Sequence, residues 1–313
     1  MRKGLCVFIV YTYHYAPMDT ATANLIRMML DRTESLRQKG DLQEALHAAN
    51  AAVEKCEQQL GPDMDNIDAF VNSLESRADL FLELAQYVEA ADDLKHAIDQ
   101  LDNRPDRIAQ EGRLYALLGT AYDGQERPDK AINAWQSAVA YFEKHEPPLL
   151  MDVAAITNNL GFIAKASGDL DGAEDYFLKS LEIMHSEVGM KHEKTASVSN
   201  NLGAVYLAAG FLDQAREMHM MALEARREIF GENHPDTAQS HNNLALALLQ
   251  TGDRAWARRH FEKALAGFEQ LVTGHAEDLE VVASNYCDFL REEGDASLAD
   301  LIAGRVRVVV AGV

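Results

Sequence analysis

The tripeptide Asn-Asn-Leu followed by a small residue occurs three times, at residues 158–161, 200–203 and 242–245. The step is 42 residues each time, from Gly161 to Gly203 and from Gly203 to Ala245. A repeat of this length is one supersecondary unit that cannot bury its apolar face alone, so copies stack and share a continuous core. That constraint precedes any local motif. It predicts an all-α fold, a solenoid of helix-turn-helix copies, with function on a surface the copies share rather than in a catalytic pocket.

Other columns hold the same register. Seven residues after the small residue stand Gly168, Gly210, Gly252 and Gly294, and five further on stand Ala173, Ala215, Ala257 and Ala299. Towards the amino end the register runs through Gly119, Ala131 and Ala138, with Glu126 in the glycine column, then through Ala78, Ala85, Ala90 and Ala97. Gly40, Ala45 and Ala52 mark the first copy. Seven repeats follow, the first and last degenerate because each has one side facing water.

Each repeat reads as two helices. In the fourth, small and apolar residues recur at helical spacing over 154–166, Gly168 supplies a left-handed stop, and Asp169 or Asp171 caps the next helix. Alanines let the two helices approach, and a bulky column of Trp135, Phe177, His219 and Phe261 fills the space beside them. The solenoid is placed over residues 24–305, after an extension over 1–23, with 306–313 as the end of the last helix or a tail. No linker long enough to split it is visible.

The pattern small-x7-Gly-x4-Ala-x3-aromatic-x2-Ala resembles the tetratricopeptide repeat. The longer step, the Asn-Asn-Leu signature, the Gly-Glu-Asn-His-Pro loop at residues 231–235 and the related Gly189-Met190-Lys191-His192 are similar to the kinesin light chain branch, including its stand-alone bacterial relatives. That resemblance implies a right-handed superhelical solenoid and a non-enzymatic adaptor. Kinesin light chains join cargo to a cytoskeletal motor and some bacterial relatives accompany bacterial tubulin, so it also implies a tubulin-like filament as partner. The heptad coiled coil by which eukaryotic light chains join the motor is missing from the sequence. The alternative is a peptide-sensing regulator or assembly chaperone that uses the same groove.

Composition narrows the partners. A net charge of −21 disfavours nucleic acid and anionic membrane, both of which ask for a basic face. An acidic filament would need locally basic spots, for which Arg254, Arg258 and Arg259, or Arg226 and Arg227, are the candidates. Three scattered cysteines, Cys6, Cys56 and Cys287, suit neither a disulfide framework nor a zinc site, and point to a reducing, cytoplasmic setting. Residues 1–10 superficially resemble a signal peptide. Their apolar run is short and no small-x-small cleavage pattern follows, so an extra segment or an upstream start, with Met18 as a natural beginning, is the competing reading. No phosphate-cradling, zinc-protease or nucleophile-elbow motif is present, and no cofactor or metal is expected.

The inner face of the first helices is therefore the candidate site. Offsets of −6, −3, +1 and +4 from the small residue share one helical face. They select Asn158, Phe162 and Lys165 with Ala155, then Asn200 and Leu207 with Ser197 and Ala204, then Gln239, Asn242, Leu246 and Leu249. Arg113 joins from the third repeat, with Thr120 and Asp123, and Arg291 from the seventh, with Ser284 and Asp288. The first asparagines are expected to form a carboxamide ladder that grips a ligand backbone, between apolar residues that take its side chains. The same carboxamides could instead bridge neighbouring repeats. The second asparagines, Asn159, Asn201 and Asn243, are assigned to packing.

Overall fold

A computed structural model describes residues 18–59, 64–101, 104–271 and 274–311. Among these the chain forms fourteen α-helices in consecutive packed pairs, with one 3-10 turn at Pro105–Arg107 and no strand. The seven pairs coincide with the seven sequence repeats. The sequence readings of residues 1–17, including Cys6, fall outside the described residues.

The chain divides into two compact lobes at Pro147/Pro148. The amino-terminal lobe holds α1 (Thr20–Gln38), α2 (Leu42–Glu57), α3 (Met64–Glu83), α4 (Tyr87–Leu101), α5 (Ile108–Gly124) and α6 (Pro128–Lys144). The carboxy-terminal lobe holds α7 (Leu150–Ala166), α8 (Leu170–Val188), α9 (Glu193–Ala209), α10 (Leu212–Phe230), α11 (Pro235–Gln250), α12 (Arg254–Glu269), α13 (Ala276–Glu292) and α14 (Ala296–Ala311). The sequence reading had one uninterrupted array. The division falls where two consecutive prolines, which cannot donate to a helix, follow α6.

The folded region begins further out than the periodicity suggested, and 306–311 are the end of the last helix, one of the two readings given above. Asp19 caps α1 by accepting from the Thr22 backbone N–H at 2.9 Å and from its hydroxyl at 2.7 Å, so the first helix begins at Thr20. At the other end α14 runs on through Val306, which is buried, to Ala311.

The turn between the helices of a pair is the same object in every repeat. In the fourth, the Gly168 N–H reaches the Lys165 carbonyl at 3.1 Å and the Asp169 N–H reaches that of Ala164 at 2.9 Å, with Gly168 at φ 84°. Glu126 adopts φ 57° and repeats the bonds, to Asp123 at 2.8 Å and from Arg127 to Tyr122 at 2.9 Å. Ala85 does likewise at φ 55°. A side chain in this left-handed region costs roughly 1–2 kcal/mol in backbone sterics. Glu126→Gly is therefore expected to stabilise the amino-terminal lobe by about 1 kcal/mol, part of the gain being lost to the freer unfolded chain. Thermal melts of the two proteins check this; a lower melting temperature in the variant would contradict it.

The small-residue column exists because bulky rings press on it. A β-carbon added at Gly203 would sit 2.8 Å from the His219 imidazole, and one at Gly119 would sit 2.2 Å from the Trp135 indole. Trp135, Phe177, His219 and Phe261 are all buried. The third, fourth and fifth pairs thus close as a glycine against a ring, and the sixth carries Ala245 and Phe261 in the same two columns.

Candidate functional site

In the carboxy-terminal lobe the first helices α7, α9, α11 and α13 are joined side by side by asparagine side chains. Asn201 Nδ2 donates to Asn158 Oδ1 at 3.0 Å, Asn243 to Asn200 at 2.9 Å, and Asn285 to Asn242 at 3.1 Å. The first asparagine of each repeat accepts from the second asparagine of the next. The ladder that sequence assigned to a ligand backbone is thus closed within the protein. Asn200 and Asn242 are buried and Asn158 is half-buried. Stacking of successive repeats brings the facing carboxamides of α7, α9, α11 and α13 within hydrogen-bond distance. Asn285, 42 residues after Asn243, completes the ladder where Ser284 replaces the first asparagine.

Asn200 Oδ1 has a second partner, His219 Nδ1 at 3.1 Å. A carboxamide oxygen only accepts, so the imidazole carries its proton on Nδ1. Burial pushes the His219 pKa down to about 4, helped by the nearby charges of Lys165 and Arg226. The ring is therefore neutral at physiological pH. Arg226 reaches from α10 beneath the same face. Its guanidinium is buried and donates to the Asp236 carbonyl and the Ser240 hydroxyl at 3.0 Å each, and to the Ser197 hydroxyl at 3.3 Å. It clamps α9 to α11 and is not a surface spot for an acidic polymer.

Over this polar floor lies an apolar strip. Phe162 is 46% exposed and meets the buried Phe177 edge-on, ring centroids 5.4 Å apart. Leu207, Leu246 and Leu249 are half-buried, the last two resting on the core cluster below. Gln239 is exposed and Lys165 half-exposed at the margins. Val281, 58% exposed on α13, prolongs the strip at the position Gln239 holds one repeat earlier. Sequence reasoning passed over it, although its register was readable.

The outlying candidates are less favoured. Arg113 belongs to the amino-terminal lobe, where its Nε meets Glu75 at 3.2 Å and Gln110 bridges Asn72 and Glu75. Arg291 is held by Asp288 at 3.4 Å and Asp300 at 3.3 Å. Arg254 pairs with Glu292 and Glu293, and Arg258 with Glu262 and Asp295. The basic spots proposed at these positions are thus internally neutralised. His192 and His234 cap α9 and α11, each accepting a backbone N–H at 3.2 Å. Among the described residues no group of three His, Cys, Asp or Glu has metal-ligating geometry, and no helix is long and apolar enough to cross a membrane.

Paired helices with a shared inner face define a helical-repeat scaffold for protein–protein interaction. Residues 152–210 and 194–270 each match the profile of the tetratricopeptide repeat. Among solved structures, BtubC (BKLC) from P. vanneervenii is 27% identical, covering 74% of this chain and 92% of its own, with a TM-score of 0.64. A kinesin-light-chain-type repeat protein from Podosopora anserina is 19% identical with a TM-score of 0.53, covering 65% of this chain and 96% of its own. The apo form of RapI shares the fold at 14% identity and a TM-score of 0.69, over 92% of this chain and 77% of its own. No curated protein matches the chain in sequence.

Proposed function

We propose that the protein is a non-enzymatic adaptor that holds a segment of a protein partner along the inner face of the carboxy-terminal lobe. The observation that carries this reading is the apolar strip of exposed Phe162 and Val281 and half-buried Leu207, Leu246 and Leu249, on helices joined by the asparagine ladder. A contiguous apolar surface on a preorganised frame is where a partner's side chains gain most on docking. The ladder contributes rigidity, and the leucines and phenylalanine contribute contact.

Similarity to BtubC and the kinesin light chain signature support a tubulin-like filament as the partner, in a reducing cytoplasmic setting in which the buried Cys56 and Cys287 stay free. With Arg254 and Arg258 paired and Arg226 buried, only Arg227 and Arg259 of the basic candidates are left for an acidic polymer, so apolar contact carries the interaction on the inner face. Cosedimentation with a polymerised bacterial tubulin-like protein tests this. The wild type is expected in the pellet, and Phe162→Glu with Leu246→Glu is expected to lower affinity about tenfold or more while circular dichroism stays unchanged. Binding unaffected by folded variants would overturn the inner-face reading. A wild type that stays in the supernatant at low salt yet binds a soluble peptide through the same strip would favour the regulator or chaperone role.

A further inference from the structure

The second helices of the carboxy-terminal lobe are separated by grooves, and the 42-residue register allows the grooves to be compared position by position. Between α8 and α10 the groove is plugged: the Tyr206 hydroxyl donates to Glu174 at 3.0 Å, and the Tyr206 ring meets Phe211 edge-on at 6.2 Å. Between α12 and α14 a second plug forms, with the Tyr286 hydroxyl donating to Glu262 at 3.1 Å. Between α10 and α12 both tyrosine positions hold leucine, Leu248 for Tyr206 and Leu244 for Tyr286. Both carboxylates are replaced as well, Glu174 by Arg216 and Glu262 by Met220. The shorter side chains leave a cavity of about 370 Å³.

Its walls are Met220, Leu223, Trp256 and His260, and its floor is Leu244 and Leu248. Trp256 is 52% exposed and Met220 is 44% exposed, although both are large and apolar. His260 is tied down from behind, its Nδ1 lying 2.7 Å from His241 Nδ1 while His241 Nε2 faces Glu232 at 3.3 Å. The rim carries Arg216, Arg227, Glu224 and Asp253. Asp253 is occupied in capping α12 and Arg216 pairs with Asp213. Arg227 forms no ion pair among the described residues, and Arg259 lies over the Trp256 ring at 4.8 Å with no carboxylate partner. Exposed tryptophan, methionine and arginine around a concave apolar floor are the residue types that anchor protein partners.

We propose that the groove between α10 and α12 is a second docking site, for an acidic segment of a partner protein that inserts an aliphatic side chain. The inserted group takes the space a tyrosine ring fills in the neighbouring grooves, and the flanking carboxylates pair with Arg227 and Arg259. Trp256 closes over the anchor as its lid. This site opens between second helices over a floor from α11, and none of its lining residues belongs to the inner strip.

The probe is a synthetic peptide with a central leucine flanked by glutamates, compared with its lysine-flanked counterpart on the full-length protein. Trp256 reports binding by a blue shift in fluorescence, since the other tryptophan, Trp135, is buried and bonded to the Ala116 carbonyl at 3.0 Å. The acidic peptide is expected to bind and the lysine peptide not. The pair Arg216→Glu with Leu248→Tyr rebuilds the neighbouring plug and should abolish binding. Arg227→Glu with Arg259→Glu, two surface changes that leave the core intact, should weaken it about tenfold. Phe162→Glu on the inner strip should leave it unchanged. Equal binding of the two peptides, binding of neither, or wild-type binding by either groove variant would overturn the proposal.

Discussion

An Asn200→Ala variant unfolds more easily than the wild type by about 2–4 kcal/mol, without touching any residue of the apolar strip. One oxygen, Asn200 Oδ1, accepts both the Asn243 amide at 2.9 Å and the His219 Nδ1–H at 3.1 Å. Alanine leaves two donors without an acceptor, the His219 Nδ1–H fully buried and the Asn243 amide half-buried, and each orphaned donor costs about 1–3 kcal/mol, less where water reaches it. The cost lands between α9 and α11, so it also loosens one repeat from the next, the coupling on which stacked repeats depend. Asn158→Ala is the control. Asn158 is half-buried and accepts only from Asn201, so its loss should cost about 1 kcal/mol. Urea titration followed by circular dichroism measures both. Equal effects from the two variants would show that water reaches Asn200, and that the ladder is open to a ligand after all.

Acidification should weaken the carboxy-terminal lobe between pH 6.5 and 4. His219 is neutral in the fold, with its pKa pushed down to about 4 by burial, whereas in the unfolded chain it takes a proton near pH 6.5. Below pH 6.5 the unfolded state therefore binds more protons, and stability falls until the folded ring also titrates near pH 4. The total loss from this one residue is about 3 kcal/mol. His260, also at about 4, and His241, shifted down as well, act in the same direction. In the amino-terminal lobe Asp79 works the other way. Burial raises its pKa to about 6, so protonation below that pH favours the folded state. The variant His219→Phe puts in this column the residue that Phe177 and Phe261 already supply. It should flatten the acid limb by about the His219 contribution. Unfolding free energies at pH 7 and pH 4.5 decide it: an unchanged difference between the two pH values in the variant would remove His219 as the cause.

The repeat architecture was legible because it rests on short-range geometry. A glycine that ends a helix, an alanine that lets two helices approach and a ring that fills the gap act within one pair, so their spacing survives in the linear register. Even Glu126 and Ala85 could be located as turn residues, since the register places them where their neighbours carry glycine. The strain they bear was not readable, because it depends on the φ that the surrounding pair imposes. The division at Pro147/Pro148 was also missed: two prolines look no different from an ordinary loop until packing is known.

The candidate site was legible only in part. Helical spacing put Asn158, Asn200 and Asn242 on one face with Phe162, Leu246 and Leu249. Which group a carboxamide faces is a matter of a few ångströms between helices that are 42 residues apart in sequence. The same holds for the arginines: Arg226, Arg227, Arg254, Arg258 and Arg259 look alike in the chain. Structure makes the first a buried clamp, pairs the third and fourth with carboxylates, and leaves Arg227 and Arg259 unpaired.

Sequence by itself thus determined the fold class, the number of helix pairs and the faces each helix presents, because a fixed period and local sterics dictate them. Only the tertiary structure decided that the asparagine pairs hold the protein to itself and that one groove of three lacks its tyrosine plug. Both depend on distances between neighbouring repeats, and hydrogen bonds and cavities change with displacements far smaller than any sequence period can express.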